Sequence, residues 1–271
     1  MTDCFIIWDV DPEIFRIGSF SVRYYGLLFA LGFLVGYYIV RYFYKKENAP
    51  LEEIDKMALY IIIGAVVGAR LGHCLFYEPA YFLSNPIEIL YVWQGGLASH
   101  GGGIGLILGL WLFSRKSHCK SLLHHMDRVA IPTALAGCFI RLGNLFNSEI
   151  YGGRTELPWG FKFPRDFQYD GFAHHPTQIY ESLGYLIIFI ILMRMYKKRK
   201  GIVNRGLIVG WMLTLIFTLR FFVEFIKNDQ VDFEQNMLLN MGQLLSIPFI
   251  IIGIILIIRS KKLGPYKAKK N

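Results

Sequence analysis

Seven apolar runs long enough to cross a bilayer dominate the chain, at roughly 21–43, 56–77, 95–114, 128–147, 179–196, 205–227 and 239–258. A helix needs about 20 mostly apolar residues to span the hydrocarbon core. In lipid, each backbone N–H and C=O must find its partner within the segment, which helices achieve. The last run, LLSIPFIIIGIILII at 244–258, is the most apolar. A further stretch, IEILYVW at 87–93, is too short to span and reads as an interfacial or re-entrant piece. The expectation is an all-α integral membrane protein of seven transmembrane helices.

Composition agrees. Of the 271 residues, 54 % are hydrophobic and 18 % charged, against about 45–50 % and about 25 % in ordinary soluble domains. That excludes a disordered chain. Cys4, Cys74, Cys119 and Cys138 are scattered and form no C-x-x-C, which excludes a disulfide scaffold.

The net charge of +9 has a topological origin. Twenty of the 29 Lys and Arg residues lie in 41–56, 115–128, 194–205 and 259–270. The intervening segments 1–20, 78–94, 148–178 and 228–238 hold four, namely Arg16, Arg154, Lys162 and Arg165. Under the positive-inside rule this alternation puts the N-terminus outside and the C-terminus in the cytoplasm. No basic face remains for nucleic acid, so none is expected as a partner. The first 20 residues carry Asp3, Asp9, Asp11 and Glu13 where a signal peptide would carry positive charge. The expected organisation is an extracytoplasmic segment at 1–20 lying along the interface, a seven-helix domain at 21–258, a small aromatic- and Gly-rich extracytoplasmic head at 148–178, and a basic cytoplasmic tail at 259–271. No internal repeat is present, which weighs against an inverted-repeat transporter.

Five spans place a polar or ionisable residue at one depth. Tyr25, Arg70, His100, Arg141 and Arg220 fall roughly 6–11 Å beneath the outer surface, from the rise of about 1.5 Å per residue. An arginine inside a span costs about 2.5–3.5 kcal/mol at the centre. Three at one level require carboxylates or a bound anion. Glu224 follows Arg220 by one helical turn, and Glu149 and Glu181 stand at the outer ends of the fourth and fifth spans. An anionic lipid headgroup would lie at about the right depth to neutralise the rest. The inner halves of the spans read as apolar. Glycines at four-residue spacing (Gly32 and Gly36; Gly64, Gly68 and Gly72; Gly101, Gly105 and Gly109) mark faces where helix backbones meet closely. The run GGLASHGGG at 95–103 leaves room beside His100, or breaks the helix there. The pairs His124-His125 and His174-His175 lack a carboxylate or cysteine to complete a metal set, and no metal is expected.

The run Gly137-Cys-Phe-Ile-Arg141-Leu-Gly143-Asn144-Leu-Phe-Asn147-Ser-Glu149-Ile-Tyr-Gly152, with His100-Gly101-Gly102 before it, resembles the bacterial prolipoprotein diacylglyceryl transferases. The family pattern is approximately G-R-x-G-N-F-x-N-x-E-x-x-G, from which Ile140 and Leu145 depart. Further blocks agree in order: Tyr24-Tyr25-Gly26-Leu27, Gly68-Ala69-Arg70-Leu71-Gly72, His175-Pro176-Thr177-Gln178-Ile179-Tyr180-Glu181, Arg220-Phe221-Phe222-Val223-Glu224-Phe225 and Met241-Gly242-Gln243-Leu244-Leu245-Ser246-Ile247-Pro248. The resemblance covers nearly the whole chain.

It implies transfer of a diacylglyceryl group from phosphatidylglycerol to the lipobox cysteine of a prolipoprotein signal peptide, with release of glycerol phosphate and no cofactor. It also implies a multi-pass protein of the bacterial plasma (inner) membrane whose active site lies in the outer half. On this reading Arg141 and Arg220 bind the phosphate, and their permanently charged guanidinium groups suit that task. Arg70 either supports them or is a structural partner. His100 is either the general base for the thiol or a hydrogen-bonding group. Tyr25, Asn144 and Asn147 are headgroup or backbone hydrogen-bonding groups, and Glu149 and Glu224 orient arginines. A carrier or flippase for an anionic lipid or other anionic substrate, and a non-catalytic lipid-binding assembly factor, are the competing readings.

Overall fold

Helices occupy the apolar runs. A computed structural model describes residues 5–18, 20–227 and 239–266. Cys4, the segment 228–238 and the tail lysines Lys267, Lys269 and Lys270 lie outside the described residues. The helices are α1 (Tyr24–Lys46), α2 (Glu52–Phe76), α3 (Pro79–Ser84), α4 (Ser99–Lys116), α5 (Leu122–Phe146), α6 (Thr177–Lys198), α7 (Leu207–Val223) and α8 (Met241–Leu263). Short 3-10 turns at Pro86–Leu90 and Val92–Gln94 take up the stretch expected to be interfacial or re-entrant.

Six helices among the described residues are long and apolar enough to cross a membrane: α1, α2, α5, α6, α7 with its 3-10 extension to Ile226, and α8. The expected third span forms α4, which is 18 residues long and is not among the six. Its polar, glycine-rich opening is the reason. Gly95 and Gly96 take φ of 89° and 66°, so the chain enters the helix only at Ser99.

Two small sheets depart from the all-α expectation. Strand β1 (Ile6–Ile7) pairs in parallel with β4 (Phe161–Lys162), and β2 (Glu13–Ile17) pairs antiparallel with β3 (Phe20–Arg23). The N-terminal segment is thereby bonded to the head by backbone hydrogen bonds.

The chain divides into two compact units, residues 1–39 with 129–265, and residues 40–128 with 266–271. In the second unit, α2 and α4 pack through their glycines. A methyl group on Gly68 would stand 2.7 Å from the Cα of Gly105, and one on Gly72 would stand 2.9 Å from that of Gly101. Backbones in such contact leave no room for any side chain, and this close packing replaces the hydrophobic drive that lipid removes.

The same unit holds a buried polar cluster. The Arg128 guanidinium donates to Glu47 at 2.9 Å, with His124 3.7 Å from the same carboxylate oxygen. His125 lies 2.9 Å from the Ser117 hydroxyl. These residues lie in the stretches read as basic loops, 41–56 and 115–128, which the structure draws partly into helices. Helix α5 starts at Leu122, not near 128, because its first charged residues find partners instead of solvent.

In the first unit, Gly32 packs on Ala136 and Gly36 on Pro132, seating the first half of α1 against α5. Helices α7 and α8 meet at Gly210, Thr214 and Gly253, with Phe217 stacked on Phe249 at 4.3 Å. The head is built on Leu145, Phe161 and Phe163, with Trp8, Tyr151, Tyr169 and Ile179 packed against them. The Trp8 indole donates to the Leu145 carbonyl at 2.8 Å, and Arg165 pairs with Asp9 at 2.7 Å. Leu145 therefore serves as a core residue, consistent with its departing from the family pattern without touching the polar groups around it.

Candidate active site

The first unit brings together side chains from five helices at the C-terminal end of α5. Arg141 lies three residues before Asn144 on that helix, so the two share a face. Arg141 Nη1 donates to Asn144 Oδ1 at 3.3 Å. The amides of Asn144 and Asn147 both donate to Glu149 Oε1, at 2.8 and 3.2 Å. The chain leaves the helix through Ser148 and Ile150 at φ of 54° and 60°, a left-handed bend that a β-branched residue rarely takes. The first turn of α6 holds that bend: Gln178 Nε2 donates to the Glu149 carbonyl at 2.8 Å, and Thr177 Oγ1 to that of Ile150 at 3.0 Å.

Glu181, one turn further along α6, is 0 % exposed. Its Oε2 lies 3.1 Å from Arg141 Nε and 3.2 Å from Lys227 Nζ. A lone carboxylate this deep would be strongly disfavoured, and the two cations keep it there. Glu224 is also buried, with Oε2 3.6 Å from Lys227 Nζ. The expected pairing of Glu224 with Arg220 is absent among the described residues. The α-helix ends at Val223 and tightens into a 3-10 turn over Glu224–Ile226, which carries Glu224 to Lys227 instead.

Arg220 makes no hydrogen bond or ion pair among the described residues. The Tyr185 hydroxyl on α6 lies within electrostatic reach of both Arg141 of α5 and Arg220 of α7. Tyr25 joins from α1. Its ring lies over Gly143, where a methyl group would come 2.7 Å from Cδ2, and its hydroxyl is within reach of Glu149 and Arg141. From α8, the Asn240 amide donates to the Glu224 carbonyl at 3.2 Å.

Tyr25, Arg141, Asn144, Asn147, Glu149, Arg220 and Glu224 thus belong to one constellation. Glu149 orients asparagines rather than an arginine, and Glu224 orients a lysine. Glu181 was visible as a carboxylate at a span end and, with Gln178, within the family block 175–181, but neither was assigned to the site. Lys227 was visible only as a flanking charge, and Tyr185 gave no signal beyond its place in α6. Arg141 carries five N–H donors. Its protein partners leave others for a ligand, and Arg220 contributes all of its own. Such a pair suits a phosphate in a water-poor site.

Arg70 and His100 belong to the second unit. The Arg70 guanidinium is 4 % exposed and donates to backbone carbonyls, to Glu88 at 2.6 Å, Gly95 at 2.7 Å and Ile89 at 3.0 Å, while stacking on Phe82. It fastens the 86–96 segment, a role that uses backbone acceptors instead of the ion pair considered for it. His100 is exposed in the first turn of α4 and has no hydrogen-bond partner among the described residues.

A family model described as prolipoprotein diacylglyceryl transferase matches residues 12–259. A phosphatidylglycerol–prolipoprotein diacylglyceryl transferase of Tolumonas auensis is 47 % identical over 257 residues, covering 95 % of this chain and 98 % of its own. Proteins of the same name from Porphyromonas gingivalis and Chloroherpeton thalassium are 48 % and 45 % identical. The Porphyromonas protein pairs 95 % of each chain, and the Chloroherpeton protein 96 % of each.

Proposed function

The chain belongs to the prolipoprotein diacylglyceryl transferase family, and on that premise we propose that it moves the diacylglyceryl group of phosphatidylglycerol onto the lipobox cysteine of a prolipoprotein signal peptide. It is a multi-pass membrane transferase. The cysteine sulfur attacks the glyceryl carbon that carries the phosphate ester. The carbon–oxygen bond breaks, a thioether forms, glycerol phosphate leaves, and the thiol proton is given up.

Charge grows on the departing phosphate, so groups that already point at it lower the barrier most. Arg141 and Arg220 take that role. The observation that carries the reading is the state of the two arginines in the family blocks: Arg141 is fixed by Glu181 and Asn144, and Arg220 makes no hydrogen bond or ion pair among the described residues. Tyr25, Asn144 and Asn147 hold the headgroup or the backbone around it. His100 takes the thiol proton as a general base, since a free thiol needs help below its usual pKa of about 8.5. Arg70 supports this indirectly, by fixing the segment that leads into α4. The reading includes the finer topology as well: α4 as a seventh span, the N-terminus and head outside, the basic loops in the cytoplasm of a bacterial inner membrane, and the reaction in the outer half.

The test is direct. Purified protein is given phosphatidylglycerol and a lipobox peptide, and the peptide mass is expected to rise by one diacylglyceryl unit. An unchanged peptide mass, with the protein folded and both substrates present, overturns the proposal. Lipid movement between vesicle leaflets without peptide modification would point to the carrier reading instead.

A further inference from the structure

Lys227 stands apart from the groups assigned to substrate. Its side chain is 3 % exposed, an expensive place for an ammonium group. Its Nζ sits between two buried carboxylates, 3.2 Å from Glu181 and 3.6 Å from Glu224. Its backbone is fixed as well. Lys227 bridges Gly152, and the Gly153 N–H donates to the Ile226 carbonyl at 2.8 Å. Only glycine fits at 152, because a methyl group there would come 2.7 Å from Thr177 Cγ2 and 2.9 Å from His175 Cβ. The loop that carries Glu149 therefore grips the segment that carries Lys227.

Neither Glu181 oxygen has a hydrogen bond of good geometry among the described residues, so charge alone holds this carboxylate. It meets Arg141 on one side and Lys227 on the other. We infer that Lys227 is a positioning residue: it fixes the Glu181 carboxylate in the place from which it aims the Arg141 guanidinium at the phosphate. The inference rests on the transferase reading and adds the residue behind the arginine. Without the lysine, Glu181 and Glu224 share the neighbourhood of Arg141 alone, and Arg141 is drawn from its aim. A displacement of about 1 Å can cost on the order of 100-fold in rate. Arg220 keeps its donors in that case, so lipid binding suffers less than turnover.

The experiment measures peptide lipidation by wild type, Lys227→Met, Glu181→Gln, the double variant and Lys227→Arg, with folded protein quantified by thermal unfolding in detergent. For Lys227→Met, kcat per folded molecule is expected to fall 10- to 100-fold, while KM for phosphatidylglycerol changes less than about threefold. Lys227→Arg, which restores the charge, is expected to keep at least about a third of the wild-type kcat/KM. Because the lysine acts through the carboxylate, the double variant is expected to be no more than about threefold worse than Glu181→Gln. Unchanged kcat in folded Lys227→Met overturns the inference, as do multiplicative losses in the double variant. Should Lys227→Met not fold, Glu181→Gln at wild-type kcat overturns it equally. Wild type alone failing to lipidate the peptide sinks the transferase reading instead, so the two failures are distinguishable.

Discussion

Arg141 and Arg220 carry the same charge in different surroundings, and the difference predicts separable effects. Arg220 makes no hydrogen bond or ion pair among the described residues, so Arg220→Ala is expected to abolish transfer while leaving thermal stability within about 0.5 kcal/mol of wild type. Arg141→Ala also abolishes transfer, but it leaves Glu181 buried beside Lys227 alone. Breaking a buried pair costs about 3–5 kcal/mol. With Lys227 still in place, a loss of about 2–4 kcal/mol is expected by the same reasoning. Arg141→Lys is expected to recover little activity, because a single ammonium cannot serve Glu181, Asn144 and a phosphate together. Parallel unfolding and peptide-lipidation measurements read all three variants. Equal stability losses in the two alanine variants would contradict this assignment of partners.

At the scale of elements, two contacts govern different parts of the fold. Helices α2 and α4 touch backbone to backbone at Gly64, Gly68, Gly72, Gly101, Gly105 and Gly109. Gly68→Ala forces them apart and is expected to cost about 1–3 kcal/mol by thermal unfolding. Gly103→Ala, which meets open space on the same α4, is expected to be neutral or slightly stabilising. The head responds to acid instead. Burial would raise the Asp170 carboxyl, but hydrogen bonds from His174, the Phe172 N–H and Arg154 outweigh it and hold the group well below the usual carboxylate range. Burial, with the neighbouring His174, also lowers His175. In both cases the unfolded chain takes a proton more readily than the folded head. Head stability is therefore full above pH ~7, starts to fall below about 6.5 as an unfolded His175 would protonate, and drops further below about 4 through Asp170. Hydrogen exchange of the Phe161 and His174 amides across pH reports this, and Asp170→Asn is expected to flatten the acid limb. Exchange rates that rise with pH beyond the intrinsic trend between 4 and 7 would reverse the sign.

For the whole molecule, what the sequence made legible was whatever depends on local composition. Apolar runs located six spanning helices, four-residue glycine spacing marked the faces through which α2 and α4 meet without pairing them, and the Arg141–Glu149 motif named most of the constellation. Pairings between distant segments stayed hidden. Glu181 meets Arg141 from α6, Lys227 meets Glu181 from beyond the end of α7, and Arg128 is drawn into α5 by a partner 81 residues away. Hydropathy treats such residues as loop because it has no term for a partner. The β1–β4 pairing of the N-terminus with the head is non-local in the same way. Charge bias, by contrast, is a property of each loop alone, and it predicts orientation without any pairing. In a background with Cys4, Cys74, Cys119 and Cys138 replaced, Phe167→Cys in the head, where the native residue is 93 % exposed, is expected to react with a membrane-impermeant maleimide in intact cells. Arg199→Cys, in the basic turn after α6, is expected to react only once the membrane is opened. The rule counts Lys and Arg near span ends and gives acidic residues little weight, so the acidic N-terminal segment does not disturb it. Because α4 is the one expected span that is not among the six helices long and apolar enough to cross, it is the element on which the prediction turns. If α4 fails to cross, the positions before it and the positions after it cannot both obey the charge rule, and labelling of Arg199→Cys from outside would expose that failure.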